Sequence, residues 1–307
     1  MVQILLLRLN NGSNERLIMV TEQLRTLASG IATGDIVPFL GPGALAGVVD
    51  PATREPIPAD SDSLIIALNN GKPMSARLMW EFPRAAMDVE LKRGRKAVHR
   101  FLDTTYGQRT WTRAPVHDWL QSLAPRYVID LNRDTQLQDS YAGVPHTLVR
   151  GTARIGGTDY RFRIDQFDGA TYREVDQDTV DPALPVLFKP MGSPRPDATY
   201  IASDADYVDY ITELMGGFAI PSFLKTYRQG RRYAFLGLRF LRDTDRMVMS
   251  DMIYAAATPP GWALIPEPTL KEQRFCERLG IEIIGADIPD LLTAAGTTGE
   301  GAADRAA

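Results

Sequence analysis

The chain has 307 residues, of which 44% are hydrophobic, so it can bury a substantial core in one large domain or two small ones. Its net charge of −4 provides no overall basic field for nucleic acid or anionic lipid. The apolar run ILLLRL near the N-terminus is too short to span a bilayer and lacks the features of a signal peptide. We therefore expect a cytoplasmic protein that binds neither membrane nor nucleic acid.

Strand and helix patterns alternate along the chain, which is typical of a Rossmann-like α/β fold, a parallel sheet with helices on both faces. The predicted helices are NERLIMVTEQLRTLASGIATG, RKAVHRFLDTTYG, APVHDWLQSL, DADYVDYITELM and PEPTLKEQRFCERLG. The predicted strands are DIVPFLGPGAL, RYVIDL, LPVLFKP, RRYAFLGLRF and IEIIGA. Apolar and polar residues alternate around GG and DG turns at about 145–176, which indicates a small antiparallel hairpin insertion. We predict one domain over residues 1–295 and a disordered tail over 296–307.

Two local features limit the possible chemistry. The stretch KRGRKAVHR, Lys92 to Arg100, is strongly basic, but it has no interleaved aromatic residues, so we interpret it as a solvated helix face rather than a nucleic-acid patch. The chain has one cysteine, Cys276, and three histidines. This set can form neither an internal disulfide nor a thiolate zinc site, so we expect no zinc.

Four predicted strands end in GPGAL, NRDTQ, KPMGS and GLRFLRD, which we call the first to fourth exits. In an open parallel sheet, ligands bind outside the carboxyl ends of the strands. Gly41 and Gly43 favour a turn whose N–H groups approach a phosphate, although an ordinary strand-to-loop turn has the same pattern. Asn132 and Asp134 can hold a ribose hydroxyl or a water, or cap their own backbone. Arg239 can clamp a phosphate or pair with a neighbouring acid.

The order of these exits, closed by RLGIEIIGAD, resembles a sirtuin-like domain. The resemblance covers about Ile36 to Asp290 and is closest to the branch found in bacterial NAD-hydrolysing defence proteins. It depends on five motifs in order, none of which is strong alone. It implies NAD as the cofactor, with Asn132 and Asp134 as the catalytic residues. The positions that it assigns to NAD are Gly41, Gly43, Asn132, Asp134, Lys189, Gly192, Gly237 and Arg239.

Among the departures from the family's pattern, four replace polar groups that face the ribose or the phosphates. Leu45 and Arg239 stand where serines are expected, Leu131 where a threonine is expected, and Met191 where the catalytic histidine is expected. A thioether cannot transfer a proton at neutral pH, and loss of that role costs about 10²–10⁴ in rate.

Few side chains can replace the missing base. We interpret His117 as a half-buried structural residue of a helix. His146 follows the loop that bears Asn132, although it starts the hairpin and can equally be a surface residue. Asp130 or Asp134 is a further candidate, since a carboxylate can stabilise an oxocarbenium-like state without a histidine.

Two hypotheses follow. In one, the protein is an active NAD hydrolase in which Asn132 positions water, Asp134 orients it and the first turn holds the pyrophosphate. In the other, it is a non-catalytic or altered NAD- or ADP-ribose-binding or assembly subunit, and the four joint departures favour this second hypothesis. Protein deacylation is not expected, because the family's four-cysteine zinc module is absent. Relatives in this branch often self-assemble or bind a partner, so we expect a homo-oligomer or a protein partner.

Overall fold

The computed structural model of the protein describes residues 18–153 and 159–296. The strands are β1 (Ile36–Leu40), β2 (Tyr127–Asp130), β3 (His146–Gly151), β4 (Phe162–Phe167), β5 (Tyr172–Glu174), β6 (Val186–Lys189), β7 (Gly192–Ser193), β8 (Thr199–Tyr200), β9 (Arg232–Leu236), β10 (Gly261–Leu264) and β11 (Glu282–Ile284). The helices are α1 (18–32), α2 (Ser61–Leu68), α3 (Phe82–Arg93), α4 (Arg95–Asp103), α5 (Pro115–Leu123), α6 (Gln136–Ser140), α7 (Asp204–Gly216), α8 (Ser222–Tyr227), α9 (Asp243–Met252), α10 (Leu270–Leu279) and α11 (Ile288–Ala294).

One nine-stranded sheet organises the described chain, in the order β11-β10-β9-β1-β2-β6-β3-β4-β5. The pairs from β11 to β3 are parallel, and β4 and β5 extend the sheet in antiparallel pairing. Strand β1 is buried along its whole length, with Val37 and Phe39 in one hydrophobic cluster and Ile36 and Leu40 in another. Because successive side chains of a strand point to opposite faces, both faces of the sheet are covered. The predicted α/β class is confirmed.

The segment predicted as a hairpin insertion is continuous with the main sheet. Strand β3 pairs in parallel with β6, with Val149 opposite Phe188, and in antiparallel with β4. The domain limits proposed from the sequence stay predictions, because the residues before 18 and after 296 lie outside the described chain.

A helical cluster that the sequence analysis did not predict in full packs beside the sheet. Helices α2, α3 and α4 share a hydrophobic cluster with Leu45, which follows β1, and with Tyr200 of β8. The basic stretch is divided between α3 and α4 by Gly94, whose φ of +81° suits glycine. None of the described helices is long and apolar enough to cross a membrane.

Candidate functional site

The four exits lie side by side, because β9, β1, β2 and β6 are consecutive neighbours in the sheet. The Nδ2 of Asn132, after β2, donates to the carbonyl oxygen of Gly41, after β1, over 2.9 Å. The structure therefore brings together the regions to which the sequence analysis assigned NAD. Their roles toward a nucleotide stay predictions.

The glycines of the first exit hold it against the fourth. Gly41 N donates to Leu236 O over 2.9 Å, Gly43 N to Gly237 O over 2.8 Å, and Ala44 N to Gly41 O over 3.0 Å. A Cβ on Gly43 would lie 2.8 Å from the Cα of Gly237, whose φ is +68°. Glycine is needed at both positions for this close approach. The N–H groups of Gly41, Gly43 and Ala44 are thus already hydrogen-bonded, and Pro42 has no N–H. No backbone N–H from Gly41 to Ala44 is therefore free to bind a phosphate in this arrangement.

A buried ion pair joins the second and third exits. Lys189 Nζ lies 2.6 Å from Asp130 Oδ2, and neither side chain is exposed. The other oxygen, Asp130 Oδ1, accepts from the backbone N of Asn132 over 3.0 Å and from its Nδ2 over 2.9 Å. The family resemblance assigns Lys189 to NAD, and in this structure its ammonium group pairs with Asp130. The two donors on Nδ2 of Asn132 are likewise committed to Asp130 and Gly41.

Asp134 is enclosed rather than presented to a ligand. Its Oδ1 accepts from the backbone N of Gln136 over 2.7 Å, whereas its Oδ2 has no hydrogen-bond partner within the described residues. Burial raises the pKa of Asp134 to about 6; the positive charge of Lys189 opposes this rise and the negative charge of Asp130 adds to it. A carboxyl group of this kind can exchange a proton near neutral pH.

The two histidines considered as replacement bases are both buried. His117, in α5, was interpreted as half-buried but is fully enclosed. Burial lowers its pKa to about 4, and neither ring nitrogen has a hydrogen-bond partner in the described chain. His146 is the first residue of β3, with its ring nitrogens 2.7 Å from Val144 O and 2.8 Å from the Tyr172 hydroxyl. It thus lies at the amino end of its parallel strand, away from the carboxyl end where Asn132 lies.

The third exit turns sharply at Gly192. Its φ is +87°, and a Cβ there would lie 1.9 Å from the carbonyl oxygen of Thr199. This glycine therefore allows β7 to pair closely with β8. Met191, just before it, is buried in a hydrophobic cluster, and its carbonyl oxygen accepts from Ile201 N over 3.1 Å.

Arg239 of the fourth exit contacts α10. Its guanidinium donates to both carboxylate oxygens of Glu272 over 2.6 and 2.8 Å. The same carboxylate accepts from the backbone N of Thr269, which caps α10. Burial acts to raise the pKa of Glu272, but the hydrogen bonds from Arg239 and Thr269 lower it to about 2. Arg242, three residues further along the fourth exit, pairs with Asp62 over 3.1 Å.

A cavity of about 60 Å³ remains between the second and third exits and the helices α2, α3 and α9. Its polar lining is Ser61, Glu81, Tyr106, Asn132, Arg133, Tyr207, Arg242, Thr244 and Asp245, and Met191 and Leu131 contribute apolar surface. A water occupies about 30 Å³ in the liquid, whereas ligand pockets are typically about 300–1,000 Å³. The cavity is therefore too small for NAD in this arrangement, and the N–H groups of the first exit are already bonded within the protein.

Glu81 and Asp245 are the two acidic residues of the lining, and sequence reasoning missed both. Burial raises the pKa of Asp245 to about 6, and the charge of Glu81 adds to the effect. Both carboxylates belong to segments at the starts of α3 and α9, which were not predicted as helices. Within the described chain, no cluster of three His, Cys, Asp or Glu side chains is arranged to hold a metal ion.

Comparison with known families identifies the class of protein. The model of the SIR2-like domain matches residues 127–284, which is just over half of the chain and includes the second, third and fourth exits. The chain therefore belongs to the SIR2-like family, whose domains typically bind NAD. No curated protein matches the chain significantly. The sirtuin-like resemblance is confirmed at the level of this family, and the bacterial NAD-hydrolysing branch stays a prediction.

Proposed function

We propose that this protein is a non-catalytic member of the SIR2-like family that acts as a binding or assembly subunit. One observation supports this proposal above the others: the polar groups of the four exits are bonded to each other. Asn132 bonds to Gly41 and Asp130, Lys189 to Asp130, and Gly43 to Gly237. Buried polar groups that are already paired are costly to separate, so the crevice works as part of the core.

The position of the family's base supports the same conclusion. Met191 cannot accept a proton, and neither buried histidine compensates for it. His117 is enclosed with a pKa of about 4, and His146 lies at the opposite end of its strand. General-base catalysis requires the base within hydrogen-bond reach of the proton that it takes.

Active NAD hydrolysis is the second candidate function, and one observation favours it. Asn132 lines the cavity, and Asp134, two residues further on, has a pKa of about 6. These two residues match the family's second block. A movement that enlarged the cavity would bring the Asn132 amide into contact with a ligand.

Nicotinamide release from NAD distinguishes the two functions. We expect the purified chain to release no nicotinamide above the buffer rate and to show no thermal stabilisation by NAD or ADP-ribose. Asn132→Ala is the site variant, and Asn70→Gly is its matched control, because Asn70 is exposed in a turn with a φ of +55° that glycine adopts freely.

Release that persists in Asn70→Gly and disappears in Asn132→Ala would overturn the proposal in favour of an NAD hydrolase. Stabilisation by NAD or ADP-ribose without release would leave the non-catalytic function standing, but it would favour a nucleotide-binding subunit whose crevice opens beyond the 60 Å³ cavity over an assembly subunit.

A further inference from the structure

The outer face of α7 carries a mainly apolar stripe that no described residue covers. Ala205, Val208, Thr212 and Met215 are all exposed along one side of the helix. Val208 is 67% and Met215 74% exposed. Their spacing of three, four and three residues is the a/d spacing of a seam between two helices.

The inner face of α7 already secures the helix to the protein. Tyr207, Tyr210 and Leu214 are buried in the larger hydrophobic cluster of the sheet. Asp206 accepts from the backbone N of Ser203 over 3.2 Å at the start of the helix, and Gly217 ends it with a φ of +86°. The outer stripe is therefore not needed to hold α7 in place, and it is presented on a fixed support.

The apolar surface extends from α7 to α3. A groove of about 620 Å³ runs between the outer face of α7 and Met87 of α3, and the carboxylates of Asp204, Asp209 and Glu213 line it together with the stripe. One turn further along α3, Leu91 is 76% exposed. Clustered exposed apolar side chains of this kind mark a contact surface more often than single ones do.

The stripe is complementary to itself when two copies of α7 run antiparallel. A two-fold axis near Tyr210 places Met215 of one copy opposite Ala205 of the other and Val208 opposite Thr212. The bulkiest side chain of the stripe then faces the smallest, which favours close packing. Symmetric contacts of this kind, with one surface facing its own copy, are the commonest in homo-oligomers.

The charges at the two ends of α7 fit the same arrangement. Asp204 is the first residue of the helix, and Lys225 lies beside Gly217 at its far end. Antiparallel pairing places Asp204 of each copy near Lys225 of the other, and it also opposes the two helix dipoles. The other two carboxylates of the groove, Asp209 and Glu213, are already paired with Arg161 of their own chain. We propose that α7 is the contact surface of a homodimer, in which it packs antiparallel against α7 of a second copy. This inference rests on the proposed assembly function, but it is tested by association alone.

Analytical ultracentrifugation of the full chain tests the surface. We expect a species of twice 34.0 kDa, and we expect Val208→Glu to raise the dimer dissociation constant more than about 100-fold, since it buries an unpaired charge. Leu270→Glu is the matched control, because Leu270 is 70% exposed on α10, outside the stripe, and should leave the dimer intact.

Cysteine crosslinking tests the antiparallel register. The natural Cys276 is buried, so introduced thiols dominate oxidation. Ala205→Cys combined with Met215→Cys should give a disulfide-linked dimer. Ala205→Cys alone should not, because ten residues of helix separate the two copies of position 205 by about 15 Å.

A chain that sediments as a monomer at all concentrations, or a dimer that tolerates Val208→Glu, would overturn the inference. Efficient crosslinking of Ala205→Cys alone would overturn the antiparallel register. None of these outcomes depends on nicotinamide release, so the dimer surface and the non-catalytic function can fail separately.

Discussion

Two of the ion pairs at the strand exits differ in their access to solvent. The pair of Asp130 and Lys189 is fully buried, whereas in the other pair Arg239 is 45% exposed while Glu272 is enclosed. Both include residues that the family resemblance assigns to NAD. The first pair has become part of the core between β2 and β6, and the second fastens α10 to the fourth exit. We therefore expect the fold to depend strongly on the first pair and only weakly on the second.

Among these changes, removal of the Lys189 charge should lower the free energy of unfolding the most. Lys189→Met leaves the Asp130 carboxylate buried without its cation, and such a change costs about 3–5 kcal/mol of the free energy of unfolding. Urea unfolding followed by circular dichroism measures the loss.

The double variant Asp130→Asn/Lys189→Met is the matched control, because it removes both charges and keeps an amide oxygen for Asn132. We expect it to be more stable than Lys189→Met alone. A loss below about 1 kcal/mol in Lys189→Met would contradict the view that the pair is a core contact.

A histidine in place of Met191 should lower the free energy of unfolding by an intermediate amount. The side chain of Met191 is buried in a hydrophobic cluster and also lines the cavity, so Met191→His replaces apolar contacts with polar ring atoms at a cost of about 1–3 kcal/mol. We expect no nicotinamide release from this variant, because the amides of the first exit stay committed. Met191→Leu, which conserves volume, is the control and should cost less than about 1.5 kcal/mol. Hydrolysis of NAD by Met191→His would mean that the exits still form a working site.

The sequence predicted the sheet and the neighbourhood of the exits better than the contacts between them. Alternating strands and helices predict a parallel sheet, and its carboxyl edge brings Gly41 and Asn132 together, as the structure confirms. The partners of Lys189 and Arg239 could not be predicted, because they lie 59 and 33 residues away along the chain. Only tertiary packing decides whether such a cation faces a ligand or a carboxylate.

The unpredicted helices explain the lining residues that were missed. Helix α2 begins after Asp60, whose side chain accepts from Ser63 N over 2.8 Å, and an Asp followed by apolar residues at helical spacing was a readable signal. Helix α9 has no side-chain cap and follows directly from the fourth exit, immediately after which no helix was predicted. Asp245 therefore escaped attention although it lines the cavity.

Replacement of Arg239 should lower the free energy of unfolding the least, and the size of this loss should depend on pH. A partly exposed pair contributes about 1 kcal/mol, so Arg239→Met should lower the free energy of unfolding by about that amount at pH 7. The folded-state pKa of Glu272 is about 2, below its ordinary value of 4.5. Its contribution is therefore fully present above pH 4.5 and is lost as pH falls toward 2.

The pH dependence separates the charge of Arg239 from its packing. If the guanidinium acts through Glu272, the stability difference between the natural chain and Arg239→Met should shrink as pH falls from 4.5 toward 2, in urea titrations at each pH. Arg239→Lys keeps the charge but not the two parallel hydrogen bonds. Its free energy of unfolding should therefore lie between those of the natural chain and Arg239→Met. A stability difference that stays constant over this range would mean that Arg239 stabilises the fourth exit through the packing of its alkyl chain. The two ion pairs would then differ in packing rather than in charge.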